Sequence, residues 1–326
     1  IVVPWCVAIG VVSHGDFYSR AVGHNFLGKV ASGQESHGLP PGYHLLAFAI
    51  AFWPGSLFAA MALPFVWQQR HQPPVRFLIC WIVPHWLVFE AIATKLPHYV
   101  LPTYPAIAIL TAAAIVSMPE GWRWPQSLWG RGLLSAYGVI WFGVGSVLAL
   151  AGPVLLWRME GIMSPAAMMI TAGALPLLMA AALLLVRGAV LQAVMASIAA
   201  AVIIHVGLFL AVIPKLETIW LSPRLATLVA EHRPCPATMV ASVSDSEPSL
   251  VFLLGQDTKL MRPELAAGFL RQYGKCALVL VGLKDLPAFE GGLEHDDLHV
   301  RRLGMASGLN YSTGKHLEIG LYGLQP

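Results

Sequence analysis

Six apolar stretches follow one another between residues 43 and 213, at 43–67, 75–93, 100–117, 133–156, 165–186 and 189–213, with short polar joints between them. Stretches of this length and composition are stable as helices across a bilayer, where about 20 residues span the hydrocarbon and each helix pairs its own backbone groups. A shorter apolar run, 1–12, precedes them. It is too short to cross alone and has neither an initiator methionine nor a basic flank. It therefore reads as the end of a span in a longer protein, and not as a signal peptide. Charge divides the chain at the same place. Residues 1–214 hold nine Lys/Arg and five Asp/Glu, whereas 215–326 hold eleven and twelve. The expected organisation is thus a transmembrane helical region, 1–214, carrying a polar loop at 13–42, and a soluble domain, 215–326. A net charge of +3 without a basic run gives no reason to expect nucleic acid as a partner.

Counting spans puts the loops 13–42, 94–99 and 157–164 on one side of the bilayer with the soluble domain. The opposite side holds Arg70, Arg76, Arg123, Arg131 and Arg187 in short loops or at helix edges, against Arg20, Lys29, Lys95 and Arg158. That bias favours an extracytoplasmic soluble domain. In this domain a helix is expected after Ser222, with Ser222 as N-cap and Pro223 at the first helical position. Strands are expected at 237–243, 258–261, 276–281, 299–303 and 316–322. Helices are expected at 247–254, ended by Gly255, and at 263–273, stopped by Gly274. Such alternation predicts a small α/β layer structure. It contains neither a Gly-rich phosphate loop nor a nucleophile elbow, so an accessory or acceptor-facing role is expected. Cys235 and Cys276 both stand at the start of expected strands and could form a disulfide in an oxidising compartment. Cys6 and Cys80 read as packing residues.

The polar residues of the membrane part are few. Lys95-Leu-Pro-His98-Tyr99 lies between two apolar runs, at an expected membrane boundary, on backbone stiffened by Pro97, Pro102 and Pro105. A cation and aromatic groups held there suit the phosphate of a lipid-linked substrate. The same residues also read as an interfacial anchor, with lysine snorkelling and tyrosine in the headgroup belt. Glu90 and His85 lie in the span leading to Lys95, and pairing of Glu90 with Lys95 is one simple reading. In the loop, Asp16, Arg20, His24 and Asn25 would share a helical face. His14, His24, Glu35 and His37 are of metal-ligating type, but their spacing matches no compact site, which favours solvated loop residues.

The stretch Thr94-Lys-Leu-Pro-His-Tyr-Val-Leu-Pro-Thr-Tyr-Pro-Ala resembles the late membrane motif of bacterial family 39 glycosyltransferases. These include the 4-amino-4-deoxy-L-arabinose transferases that modify lipid A and relatives of the protein O-mannosyltransferases. The resemblance extends through Asp16-Phe-Tyr, Gly23-His-Asn and Pro40-Pro-Gly-Tyr-His-Leu upstream, and Glu247-Pro-Ser-Leu-Val-Phe and Asn310-Tyr-Ser downstream. It implies a polytopic α-helical GT-C type fold of about seven spans, the first truncated, followed by a small α/β extracytoplasmic domain. The implied place is the bacterial inner membrane, and the implied activity is sugar transfer from a polyprenyl-phosphate donor. The acceptor would be extracytoplasmic: a lipid A-like lipid, a protein or another glycan. Lys95 and Tyr99 match motif positions near the carrier phosphate; His98 between them is a further candidate for binding it, and Asp16, Arg20, Glu35 and His37 are candidate loop contacts. His24 matches a histidine beside a bound metal, so a divalent ion is the cofactor the resemblance allows, and no organic cofactor is expected. The catalytic base, an aspartate of an earlier loop, would lie in sequence before Ile1. The rival class is a polytopic transporter or lipid flippase, with Glu90 and His85 marking a pathway.

Overall fold

The computed structural model describes residues 2–27, 38–118, 127–310 and 314–325, with the side chains of 24–26 excepted. The chain forms two compact units, Ile1–Pro153 with Pro165–Phe209, and Val154–Ser164 with Leu210–Pro326.

The first unit is helical. An apolar helix α1 (Val2–Val12) is followed by the single turn α2 (Asp16–Tyr18), which runs on as a π-helical stretch, Ser19–Leu27. Next come α3 (Tyr43–Ala51) and α4 (Gly55–Gln69), which the sequence presents as one span, 43–67. They are bent by 117° at the break. Pro54 causes it: it has no N–H to continue the helix and disfavours helical backbone at Trp53. The break is stapled to a later helix, α7 (Leu128–Leu155). Trp53 Nε1 donates to the Trp141 carbonyl at 3.2 Å, and Trp141 Nε1 to the Pro54 carbonyl at 2.8 Å. Helix α5 (Pro73–Ala91) leads through a 3-10 stretch, Pro97–Thr103, into α6 (Tyr104–Val116). The last two helices, α8 (Pro165–Val186) and α9 (Val190–Gly207), form a hairpin. Gly188 turns it with φ 78°, in the left-handed region where a side chain is costly. Small buried residues, Ala167, Ala174 and Ala181 on α8 and Ala193, Ala200 and Ala201 on α9, let the two backbones approach closely, as membrane helices do. Among the described residues five helical segments are long and apolar enough to cross a membrane, or six if α3 and α4 count as one span.

The second unit is a five-stranded sheet with helices on both faces. Its elements are α10 (Leu221–Glu231), β1 (Met239–Ser242), α11 (Pro248–Leu254), β2 (Lys259–Leu260), α12 (Ala266–Tyr273), β3 (Ala277–Gly282), α13 (Leu286–His295), β4 (Val300–Asn310) and β5 (Lys315–Leu324). The strand order is β2-β1-β3-β5-β4. β1 pairs in parallel with both β2 and β3, and β5 is antiparallel to β3 and β4. Every residue of the central β3 is buried, which accounts for its unbroken apolar sequence. Leu278 and Leu280 face α10 and α11, packing with Leu225, Val229 and Leu250. Val279 and Val281 face the other side, packing with Leu270, Phe289 and Leu293 of α12 and α13. Cys235 and Cys276 form a disulfide, with Cα atoms 5.4 Å apart.

Two sequence expectations are revised here. Ser222 does not cap α10, which begins one residue earlier; its hydroxyl instead bonds Ser249 Oγ of α11 at 2.9 Å. Helix α13 has no counterpart among the expected elements, because Gly291 and Gly292 lie in its interior and break the apolar pattern. Phe289 and Leu293, one turn apart, nevertheless bury against the sheet.

Candidate functional site

The site is built where α5 ends. Ile92 leaves the helix with extended backbone, and the carbonyls of its last turn would be left unpaired. Lys95 folds back over them. Its Nζ donates to the carbonyls of Glu90 at 2.7 Å and Phe89 at 3.1 Å, and also to that of Ile92. A cation on the negative end of a helix is favourably placed. Lys95 is 2% exposed, so its charge is held out of water. The expected pairing with the Glu90 carboxylate is not formed, since the ammonium takes that residue's backbone oxygen.

The Glu90 carboxylate serves another helix. Its oxygens accept from the backbone N–H of Gly42 at 2.9 Å and of His44 at 3.1 Å, at the start of α3, which has no side-chain cap of its own. His44 is fully buried, and its Nε2 stands 3.1 Å from the Leu96 carbonyl. A carbonyl only accepts, so Nε2 carries the proton there. The same Leu96 carbonyl accepts the Tyr99 N–H at 3.1 Å, closing the first turn of the 3-10 stretch. The Tyr99 carbonyl in turn accepts from His85 Nε2 of α5 at 2.9 Å. Aromatic rings line this turn: His85 against Phe89 (4.9 Å between centroids), Phe89 against Tyr99 (4.9 Å) and Tyr99 against His98 (5.1 Å). His98 is exposed and Tyr99 half-buried. The Tyr99 hydroxyl makes no hydrogen bond to a described residue.

An apolar cavity of about 730 Å³ lies within the same unit. Leu45 and Phe48 of α3 and Ile82, Val83 and Trp86 of α5 contribute to its wall. Leu45 directly follows His44, and Trp86 is one helical turn before Glu90.

The structure therefore joins Lys95, His98 and Tyr99 to Glu90, His85 and His44. The first five stand out in the sequence. His44 stands in the sequence only within the Pro40-Pro-Gly-Tyr-His-Leu stretch, and nothing local assigns it a role, because its partner Leu96 is 52 residues away. Asp16 and Arg20 lie elsewhere on the unit, in a mutual ion pair of 3.8 Å with side chains 74% and 81% exposed. Glu35 and His37 lie outside the described residues, as does the His24 side chain; the His24 backbone belongs to the stretch Ser19–Leu27. Among the described residues no three His, Cys, Asp or Glu side chains gather as a metal site would require.

No protein-family model matches the chain. A protein of Pseudomonas paraeruginosa (strain DSM 24068 / PA7) named undecaprenyl phosphate-alpha-4-amino-4-deoxy-L-arabinose arabinosyl transferase is 30% identical over 116 residues, 36% of this chain and 21% of that protein. Its namesake in Pectobacterium carotovorum subsp. carotovorum (strain PC1) is 29% identical over 149 residues, 45% of this chain and 25% of that protein. The matches thus span a quarter or less of these relatives. In structure, 98% of the chain superposes on 58% of ArnT from Cupriavidus metallidurans bound to undecaprenyl phosphate, with a TM-score of 0.63 and 16% identity. The apo form of the same protein gives 0.54. Over about a third of its length the chain is thus similar in sequence to these aminoarabinose transferases, and over nearly all of it its fold is that of ArnT.

Proposed function

We propose that this chain is part of an integral-membrane glycosyltransferase that moves 4-amino-4-deoxy-L-arabinose, or a similar sugar, from a polyprenyl-phosphate carrier to an extracytoplasmic acceptor, a lipid A-like lipid in preference to a protein or glycan. The observation that carries this reading is the turn at 95–99. It holds a buried cation and an unengaged phenol between α5 and α6, two of the helices that contribute to the wall of an apolar cavity. Those are complementary to the two halves of a polyprenyl phosphate. In the reaction an anionic phosphate oxygen of the lipid acceptor bonds to the anomeric carbon, the bond from that carbon to the carrier's phosphate oxygen breaks, and the electron pair leaves on the carrier phosphate, so no proton need be transferred. Lys95 acts on that charge through the field of a water-excluded cation rather than through a free N–H, since its donors are engaged on carbonyls. Tyr99 supplies a hydroxyl and the exposed His98 a ring N–H for direct contact. The disulfide of the second unit supports an oxidising, extracytoplasmic setting.

Substituting Lys95→Met in the full-length protein should lower transfer by roughly 100-fold, the order expected for losing one preorganised electrostatic group. Lys95→Arg keeps the charge and should retain more activity. Wild-type turnover in Lys95→Met would remove the assigned role. Appearance of free polyprenyl phosphate together with glycosylated acceptor separates this reading from a transporter or flippase. Glu90 and His85 would mark a pathway in such a protein; here both bond backbone groups.

A further inference from the structure

The backbone of residues 96–99 is held by two imidazoles that come from different helices. His44 of α3 donates to the Leu96 carbonyl at 3.1 Å, and His85 of α5 donates to the Tyr99 carbonyl at 2.9 Å. These are the first and last residues of the turn, and the Tyr99 N–H closes it on the same Leu96 oxygen that His44 holds. Among the described residues neither histidine belongs to a metal-type cluster, and His85 has no ion pair; a protonated His44 would be within ion-pair distance of Glu90. His44 Nδ1 stands 3.7 Å from Glu90 Oε2 with no hydrogen bond. Glu90 in turn fixes where His44 sits, because its carboxylate caps the two backbone N–H groups that start α3.

A fully buried imidazole with a ring nitrogen that makes no hydrogen bond is costly. An apolar side chain at position 44 would avoid that cost and suit the surrounding membrane helices better. What the imidazole adds is a fixed donor to one carbonyl of the turn. His85 lies in a span where a polar side chain is unfavourable without a partner, and its partner is the other end of the same turn.

We propose that His44 and His85, with Glu90 behind His44, are positioning residues that clamp the 96–99 turn, so that the Tyr99 phenol meets the carrier phosphate in one geometry, within the field of the buried Lys95 cation. None of the three need touch the substrate. The proposal rests on the carrier-phosphate reading above for its functional consequence, but its structural content, the clamped turn, is independent of that reading.

The test uses full-length protein in lipid nanodiscs and two variants at one site. His44→Phe keeps ring volume and removes the donor; His44→Gln places an amide N–H near the position of Nε2. Two quantities are measured on each: amide hydrogen exchange of the 94–101 segment, and affinity for undecaprenyl phosphate. His44→Phe should speed exchange of that segment at least tenfold and weaken undecaprenyl phosphate about tenfold, with exchange in α8 and α9 unchanged. His44→Gln should restore most of both. Unchanged exchange of 94–101 in His44→Phe overturns the clamp, and so does loosening that His44→Gln fails to restore. A loosened segment that binds undecaprenyl phosphate as tightly as wild type overturns its role in carrier recognition. If the wild-type protein does not bind undecaprenyl phosphate at all, the functional reading fails, while the exchange data still decide the clamp.

Discussion

Removing the Cys235–Cys276 disulfide is the perturbation whose size follows most directly from this structure. The two cysteines are 41 residues apart and enclose β1, α11, β2 and α12. Cys276 is adjacent to Ala277, which pairs with Met239 at the start of the parallel β1–β3 ladder. The bond therefore ties together the two strands on which the sheet is built. In the chain-entropy model a loop of that length loses about 13 cal/mol/K in the unfolded state, or about 4 kcal/mol at 25 °C. A Cα separation of 5.4 Å is one that a disulfide spans without moving the backbone, so little of that gain is offset. The double variant Cys235→Ala/Cys276→Ala should then open β1 and β3 about a thousandfold more often. For a unit of roughly 130 residues the same loss corresponds to a midpoint about 15 °C lower. Hydrogen exchange of peptides covering 239–242 and 277–282 in the full-length protein reads this directly, with peptides from α8 as the control. Protection within threefold of wild type would refute the entropic argument. Equal gel mobility with and without reductant in protein isolated from cells would remove the bond itself, and with it the support for an oxidising compartment.

The other predictions concern the second unit. Burial pushes the Asp245 carboxyl above the usual carboxylate range, with the nearby Glu247 carboxylate adding to the rise and a Glu247 backbone N–H opposing it. A raised folded-state value means that this group's contribution to stability is fully present below its unfolded-state value, about 4, and is lost as pH rises through the folded value. Asp245→Asn should remove that slope, which denaturation midpoints across the pH range would show as a gain for the variant at neutral pH; parallel profiles would contradict it. A methyl group at Gly308 would lie 2.7 Å from the Thr218 carbonyl oxygen and 3.2 Å from Leu221 Cβ, so Gly308→Ala should cost about 1–3 kcal/mol. Gly291 has open space around it inside α13, and Gly291→Ala should stabilise by about 0.5–1 kcal/mol. An unchanged or raised midpoint in Gly308→Ala would speak against the close packing of β4 on the chain near Thr218.

Much of the architecture was legible because it rests on local rules. Apolar run length marks membrane helices, since the bilayer offers no partner for an unpaired backbone group. Alternation of short apolar runs with Gly- and Pro-bounded segments marked the α/β sheet, and β1, β2, β3, α11 and α12 fall within a few residues of their expected places. Where long-range packing outweighs local preference, the reading failed. Ser222 has the chemistry of a cap but finds Ser249, 27 residues away. Helix α13 survives two interior glycines because Phe289 and Leu293 reach the core.

The site divides in the same way. The sequence by itself determined that Lys95, His98 and Tyr99 stand together at the end of a membrane helix, because five residues on proline-stiffened backbone cannot stand far apart. It also carried the family resemblance, since that lies in the order of residues. Only the tertiary structure decided what those residues are attached to. Lys95 spends its donors on the end of α5, Glu90 caps α3, and His44 reaches Leu96 across 52 residues of chain. None of these follows from spacing, because an ammonium or imidazole bonds whichever carbonyl folding brings within about 3 Å, and that is set by how the helices pack.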